Sequence, residues 1–282
     1  MKDDVWFVTG SARGLGRNIA EAALAAGRRV AATARDITAL NDLVAQHGER
    51  ILTIPLDVTD AQRAEGAVAT TIDHFGSLDV VVNNAGYADI SPIEHTSIEA
   101  FRAQVDAVFY GTVHVTKAAL PYFRRRGSGF FIQIASVGGR LTAPGLGAYQ
   151  SAKFAVEGFS SVLRQEVHDL GIRVTVAEPG SMRTDWAGSS MRVAEIDPDY
   201  DATVGAMARR TRDSSGRQPI DPVLVARALI DLADEKDPPL HLLLGDDAVR
   251  FMAAALEATA KEDARWASVG RSVDFQRAAA PE

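Results

Sequence analysis

The sequence predicts a three-layer, doubly wound α/β fold built on a parallel sheet of about seven strands. Three observations lead there. Seven short apolar runs, rich in β-branched residues, occur at residues 5–8, 29–33, 51–56, 78–82, 130–135, 172–177 and 240–244. Between them lie longer Ala- and Leu-rich stretches of helical period. Helix start and stop signals fall between the runs and not within them. Consecutive apolar positions suit strands covered by helices on both faces, and strand–helix alternation implies right-handed crossovers in one parallel sheet.

Taken in chain order, the first run passes through a glycine-rich turn into a helical stretch that stops at Gly27. The second strand runs to about Ala34. Asp36 then stands as N-cap of a helix over 37–46, which Gly48 closes. Thr59-x-x-Gln62 and Thr96-x-x-Glu99 read as capping boxes, and Asp221-Pro222 as an N-cap with proline at the first helical position. Gly76 and Gly171 mark further returns from helix to strand. The Arg124-Arg125-Arg126 cluster complements a helix C-terminus before Gly127. Gly180 to Ile220 breaks the rhythm: it carries Trp186, three methionines, serines and charges, with no strand pattern. A loop of that length is a substrate-binding lid or else a variable surface insertion. The expected organisation is one catalytic domain over residues 1–245, the lid at 180–220, and a helical extension over 246–282. In that extension Phe251, Leu256 and Trp266 share an apolar face that packs on its own subunit or reaches a neighbour.

Composition removes several functions. The 282 residues are within the reach of one hydrophobic core. Thirty basic against 37 acidic residues leave a net charge of −7, which argues against a nucleic-acid binder. Without cysteine there are no disulfides, thiolate nucleophiles or thiolate zinc sites. The six histidines stand singly in sequence, so no metal is expected. The start of the chain lacks a signal-type apolar region, and no stretch reaches the ~18 apolar residues of a membrane span. A cytoplasmic location is the expectation.

The first strand is followed directly by Thr9-Gly10-Ser11-Ala12-Arg13-Gly14-Leu15-Gly16 and then by a helix. Glycine backbone can approach a pyrophosphate closely, and the unpaired N–H groups of a helix N-terminus favour its charge. Placed after the first strand, the turn marks a Rossmann-type dinucleotide site, although its G-x-x-x-G-x-G spacing departs from G-x-G-x-x-G. At the end of the second strand, Asp36 lies about twenty residues past the glycines, where an acid would bind the ribose of NAD. Its N-cap position engages it elsewhere. Arg35 and Arg13 are both placed to bind a 2′-phosphate, which favours NADP(H) over NAD(H).

Tyr149 and Lys153 open an amphipathic helix, and their i,i+4 spacing puts phenol and ammonium on one face. A neighbouring cation lowers the pKa of a phenol, so Tyr149 can give a proton to a carbonyl oxygen or take one from an alcohol. Ser136 follows the strand at 130–135, at its carboxyl end, where ligands sit in such sheets, and its hydroxyl can bond the same oxygen.

These motifs, in this order, resemble those of the short-chain dehydrogenase/reductase family over roughly residues 4–185, and more loosely to about 245. The resemblance implies that Asp57-Val58 contacts adenine, and that Asn83-Asn84-Ala85-Gly86 stabilises the sheet beside the cofactor. It implies Ser136, Tyr149 and Lys153 as the catalytic residues, with Lys153 also holding the nicotinamide ribose. Pro179-Gly180-x-x-x-Thr184 matches the nicotinamide-side motif, with Thr184 bonding the carboxamide. It further implies a homodimer or homotetramer through the long helices flanking the Ser136 strand. In one place the chain departs from the family: Val108 stands where many members carry an asparagine that anchors a water in the proton relay. The expected activity is NADP(H)-dependent hydride transfer between the nicotinamide and a small-molecule carbonyl or secondary alcohol. Val108 keeps open the alternative of a non-catalytic dinucleotide-binding sensor or scaffold. The side chain of the substrate pocket is expected from Gly138, Arg140, Trp186 and the loop beyond.

Overall fold

A computed structural model describes residues 3–184 and 191–275. Its sheet has the strands β1 (Val5–Val8), β2 (Arg29–Ala34), β3 (Ile51–Pro55), β4 (Val80–Asn83), β5 (Gly129–Ile134), β6 (Ile172–Pro179) and β7 (His241–Leu244). All pairings are parallel, in the order β3-β2-β1-β4-β5-β6-β7. Each expected run is a strand, with ends shifted by at most two residues. The largest extension is β6, which continues through Glu178 and Pro179 because both find partners on β7, at Leu243 and Leu244.

The alternation of side chains along β1 divides the interior into two layers. Trp6 and Val8 pack with Leu15 and Ile19 of α1 (Gly14–Ala25) and Ala226 and Leu229 of α8 (Pro222–Asp234). Val5 and Phe7 enter the opposite cluster, with Val115 and Phe123 of α5 (Gly111–Arg126) and Leu163 of α6 (Gly147–Val167). All four β1 side chains are fully buried. This double cover explains why the strands read as unbroken apolar runs. Strand order reverses between β1 and β4, so the helices that follow them lie on opposite faces and leave a crevice beyond the carboxyl ends of these strands.

The punctuation is mostly as expected. Asp36 accepts a bond from the Thr38 amide, and Asp221 from that of Val223. Gly27, Gly48, Gly76, Gly127 and Gly171 all have positive φ. The two capping boxes are displaced by one residue. Helix α3 (Ala61–Phe75) is capped by Asp60, which accepts from Arg63 N, and α4 (Ile98–Val105) by Ser97, which accepts from Ala100 N. The threonines are spent on tighter local bonds: Thr59 donates to Asp57 at 2.8 Å and Thr96 to the Pro92 carbonyl at 2.9 Å.

Between α4 and α5 lies a wide π turn, Asp106–Tyr110, which no spacing in the sequence announces. The stretch from Gly180 to Ile220 is not a plain loop. Its described part contains turns from Pro198 to Gly205 and the helix α7 (Ala206–Asp213). The inward face of α7 is only Met207, Ala208 and Thr211, too short a stripe to announce a helical period. The remaining helices are α2 (Asn41–His47) and α9 (Asp246–Arg271). Along α9 only Asp247, Ala248 and Met252 are buried, so Phe251, Leu256 and Trp266 stand exposed instead of packing on the same chain. No helix among the described residues is long and apolar enough to cross a membrane.

Candidate active site

At the β1–α1 turn, Gly10 and Gly14 adopt left-handed conformations (φ +69° and +58°). Gly16 is required for a different reason: a Cβ there would lie 2.3 Å from the Gly10 carbonyl oxygen and 2.4 Å from Asn84 Nδ2. The turn is therefore clamped against the segment after β4. Asn84 Nδ2 donates to the Thr9 carbonyl at 2.9 Å, and the amides of Asn84 and Ala85 donate to Thr9 Oγ1. Ser11 is buried, donating to the Val8 carbonyl, so it holds the turn's shape. Arg13 is the N-cap of α1 but supplies no capping bond, which leaves the first-turn amides open. Bare backbone, left-handed glycines and an uncapped helix N-terminus together fit a dinucleotide pyrophosphate.

Neighbouring residues complete that crevice. Asn83 is buried in a polar cluster, donating to Thr116 Oγ1 at 3.0 Å and Gln133 Oε1 at 2.9 Å. It supports the sheet from within, while Asn84 supports the glycine turn. Asp57 accepts from both the amide and hydroxyl of Thr59, and these bonds hold its carboxyl below the usual range. Val58 is buried beside Gly111. Arg35 and Arg13 are exposed, and neither guanidinium makes an ion pair or hydrogen bond among the described residues. Asp36 is occupied, taking both the amide and hydroxyl of Thr38, which lowers its pKa.

Tyr149 and Lys153 are the third and seventh residues of α6. Ser136 lies two residues beyond β5, fixed by the Gly138 amide donating to its hydroxyl at 3.0 Å. The fold brings the three together: the Tyr149 phenol is hydrogen-bonded to Ser136, and Lys153 Nζ sits 5.8 Å from the tyrosine ring centroid. Lys153 is buried and donates to the Ile134 carbonyl at 2.6 Å.

The electrostatics differ from the expectation in one respect. Burial pushes the Tyr149 phenol up to about 12, opposed by the bond with Ser136. Lys153 does not lower it: its ammonium is turned to a backbone carbonyl, and loss of water outweighs its charge. Burial also pulls Lys153 down to about 8, with the Glu157 carboxylate opposing.

Pro179 and Gly180 end β6 at the same rim. A Cβ on Gly180 would strike Asp247 Oδ1 at 2.2 Å, so the glycine admits the carboxylate that accepts from the Ser181 amide. Thr184 is half-buried a turn further on. Val108 is buried, and a Cβ at Gly86 would lie 3.3 Å from its Cγ2; its carbonyl accepts from Thr112 Oγ1. Of the expected pocket residues, Gly138 packs under Gln150, and Arg140 turns away to Glu178. Trp186 lies outside the described residues.

Several contributors escaped sequence reading. Gln150 accepts from the Ala143 amide at 2.8 Å and donates to the Leu141 carbonyl at 3.0 Å, pinning the loop that precedes Tyr149. Met191, Val204 and Ala208 pack with Ile90 and Leu146 in an apolar cluster whose margin includes Tyr149. His241, isolated in sequence, lies against both Glu157 and Glu178. Only chain topology joins these pairs.

Comparison with known proteins agrees with this geometry. The family described as short chain dehydrogenase matches residues 4–193. Oxidoreductase BOA17 of Botryotinia fuckeliana (strain B05.10) is 50% identical over 263 residues, covering 93% of this chain and 96% of its own. The crystal structure of a short-chain dehydrogenase from Streptomyces avermitilis superposes with a TM-score of 0.91 at 40% identity, covering 97% of this chain and 100% of that one. The alcohol dehydrogenase of Thermococcus sibiricus, solved with 5-hydroxy-NADP, is 26% identical, with a TM-score of 0.69 and coverage of 86% and 96%. With a nucleotide-binding Rossmann fold and this family match, the chain belongs to the short-chain dehydrogenases and is an oxidoreductase of that family.

Proposed function

We propose that the protein is an NADP(H)-dependent reductase of ketones or aldehydes, acting in reverse on secondary alcohols. The observation that carries this reading is the Ser136–Tyr149 hydrogen bond above the Lys153 ammonium. Bound at the β1–β4 crevice, NADPH would supply the hydride. Tyr149 gives its proton to the substrate oxygen, and its high pKa keeps that proton in place at neutral pH. Ser136 donates to the same oxygen and fixes its position. Lys153 opposes the negative charge that grows on the phenol as the proton leaves, and holds the nicotinamide ribose. Pro179, Gly180 and Thr184 take the nicotinamide side. Asp57 and Val58 take the adenine, and the backbone of Gly10, Ser11, Gly14, Leu15, Gly16, Asn84, Ala85 and Gly86 lines the rest.

The preference for NADP(H) is supported by Arg13 and Arg35, exposed and without an ion pair or hydrogen bond among the described residues, and by the engagement of Asp36 with Thr38. The apolar cluster beside Tyr149 supports residues 180–220 as a substrate lid on one domain of residues 1–245. Exposed Tyr110, Phe154 and Val162 beside and along α5 and α6 support a homodimer or homotetramer, which light scattering would measure.

The test is turnover of NADPH with a panel of ketones and aldehydes by wild type and Tyr149→Phe. The variant should lose about 10²–10⁴-fold in kcat. Undiminished turnover removes Tyr149 as the acid. Tight NADPH binding without turnover on the whole panel favours a non-catalytic sensor.

A further inference from the structure

Glu157 follows Lys153 by one turn of α6, and it is the acid whose charge Lys153 feels. It is 6% exposed, and both carboxyl oxygens are buried without a hydrogen-bond partner. Three further elements bring polar or charged side chains to it. Glu178, near the end of β6, is fully buried and receives Arg140 from the turn after Ser136, through Nε at 2.9 Å and Nη2 at 2.6 Å. His241, at the start of β7, puts Nδ1 2.9 Å from Glu178 Oε1 and 3.2 Å from Glu157 Oε2. Nδ1 is within hydrogen-bonding distance of Glu178 and close beside the Glu157 carboxylate. Its carboxyl also lies against the turn after Ser136: a Cβ on Gly139 would be 3.0 Å from Glu157 Oε1.

The charges do not close evenly. Arg140 and Glu178 compensate one another, while Glu157 is left with Lys153 and a histidine. An uncompensated buried carboxylate is costly. Burial and Glu178 push Glu157 up to about 8, with Arg140 and Lys153 opposing. Below that pH Glu157 is mostly the neutral acid; as pH rises through it the carboxylate forms, and its charge opposes loss of the Lys153 proton.

We propose that Glu157 is a positioning residue for Lys153, its carboxylate keeping the buried lysine in the ammonium form from within the Arg140–Glu178–His241 cluster. The inference rests on the reading of Lys153 given under Proposed function. It assigns a role to a residue outside the Ser136, Tyr149 and Lys153 set, and to a cluster spanning the turn after Ser136, α6, β6 and β7.

The experiment is a pH profile of kcat for NADPH-dependent ketone reduction between pH 6 and 10, in wild type and Glu157→Gln. Glutamine is close in shape to the protonated acid, and folding is checked by circular dichroism and melting. Without the carboxylate, Lys153 loses its proton more easily. The alkaline limb should move down by about one pH unit, giving about tenfold lower turnover above the limb and little change below pH 7. His241→Leu removes the imidazole beside both carboxylates, makes the Glu157 anion harder to form, and should move the limb the same way by less. An unmoved limb with a uniform loss of rate overturns the proposal and leaves Glu157 a structural residue. If Glu157→Gln does not fold, the His241→Leu limb decides. Tyr149→Phe and Lys153→Ala are run alongside. Full activity in either one refutes the reading of the site itself, whereas their inactivity with an unmoved limb in Glu157→Gln refutes only the role of Glu157.

Discussion

Lys153 Nζ donates to the Ile134 carbonyl at 2.6 Å, tying the helix that carries Tyr149 to the end of the strand that leads to Ser136. The bond fixes the buried ammonium and holds the three reactive groups in one frame. It also pairs a buried backbone carbonyl with a buried cation, so removal of the ammonium takes a hydrogen bond from that carbonyl.

The first prediction concerns pH. Burial holds Lys153 at about 8 and Tyr149 at about 12. Below about 8 the lysine is a cation, and over the same range the phenol keeps its proton. Carbonyl reduction should therefore fall as pH rises through about 8, following Lys153, and not near the phenol's own pKa. Initial rates at saturating NADPH measure this; a plateau extending to pH 10 contradicts it.

Cofactor choice is tested at Arg35. The Arg35→Ala variant should bind NADPH at least about tenfold more weakly while NADH binding changes little, since a charge-assisted bond to a phosphate is worth about 1.5–3 kcal/mol. Titration calorimetry with both nucleotides reads the difference. Equal losses for both refute the phosphate role.

Gly16→Ala tests the clamp between the glycine turn and Asn84. The new methyl would sit 2.3 Å from the Gly10 carbonyl oxygen, and backbone has little room to yield. The expected cost is about 1–3 kcal/mol of stability, with a further loss of nucleotide affinity as the turn shifts. Thermal melts with and without NADPH separate the two effects.

Gln150→Leu removes both bonds to the loop at 141–143. Two backbone groups are then left unpaired, at a cost of about 1–3 kcal/mol. Because the loop precedes Tyr149, KM for the carbonyl substrate should rise more than kcat falls. A melting temperature equal to wild type would show that the loop is held by other contacts.

The strands, their parallel sheet and the glycine turn after the first strand were legible in the chain because they rest on local signals: apolar runs, glycines after a strand, caps before a helix. The two capping boxes were read one residue early: Thr59 and Thr96 are drawn into other bonds, and the caps fall to Asp60 and Ser97. Helix α7 was hidden because it is two turns long and its inward stripe is only Met207, Ala208 and Thr211. Tyr149 and Lys153 could be paired from spacing alone, since four residues on a helix are one turn.

By itself, then, the sequence determined the layered fold, the glycine turn and the i,i+4 pair, all set by interactions within a few residues. Tertiary structure alone decided the electrostatics. It buried Tyr149 and Lys153, so that desolvation rather than their mutual charge controls both pKa values. It also carried His241, Glu178 and Arg140 from distant parts of the chain to the far side of the lysine. Charges separated by so many residues interact only once crossovers in the sheet have closed the distance and excluded water, and no local pattern records that.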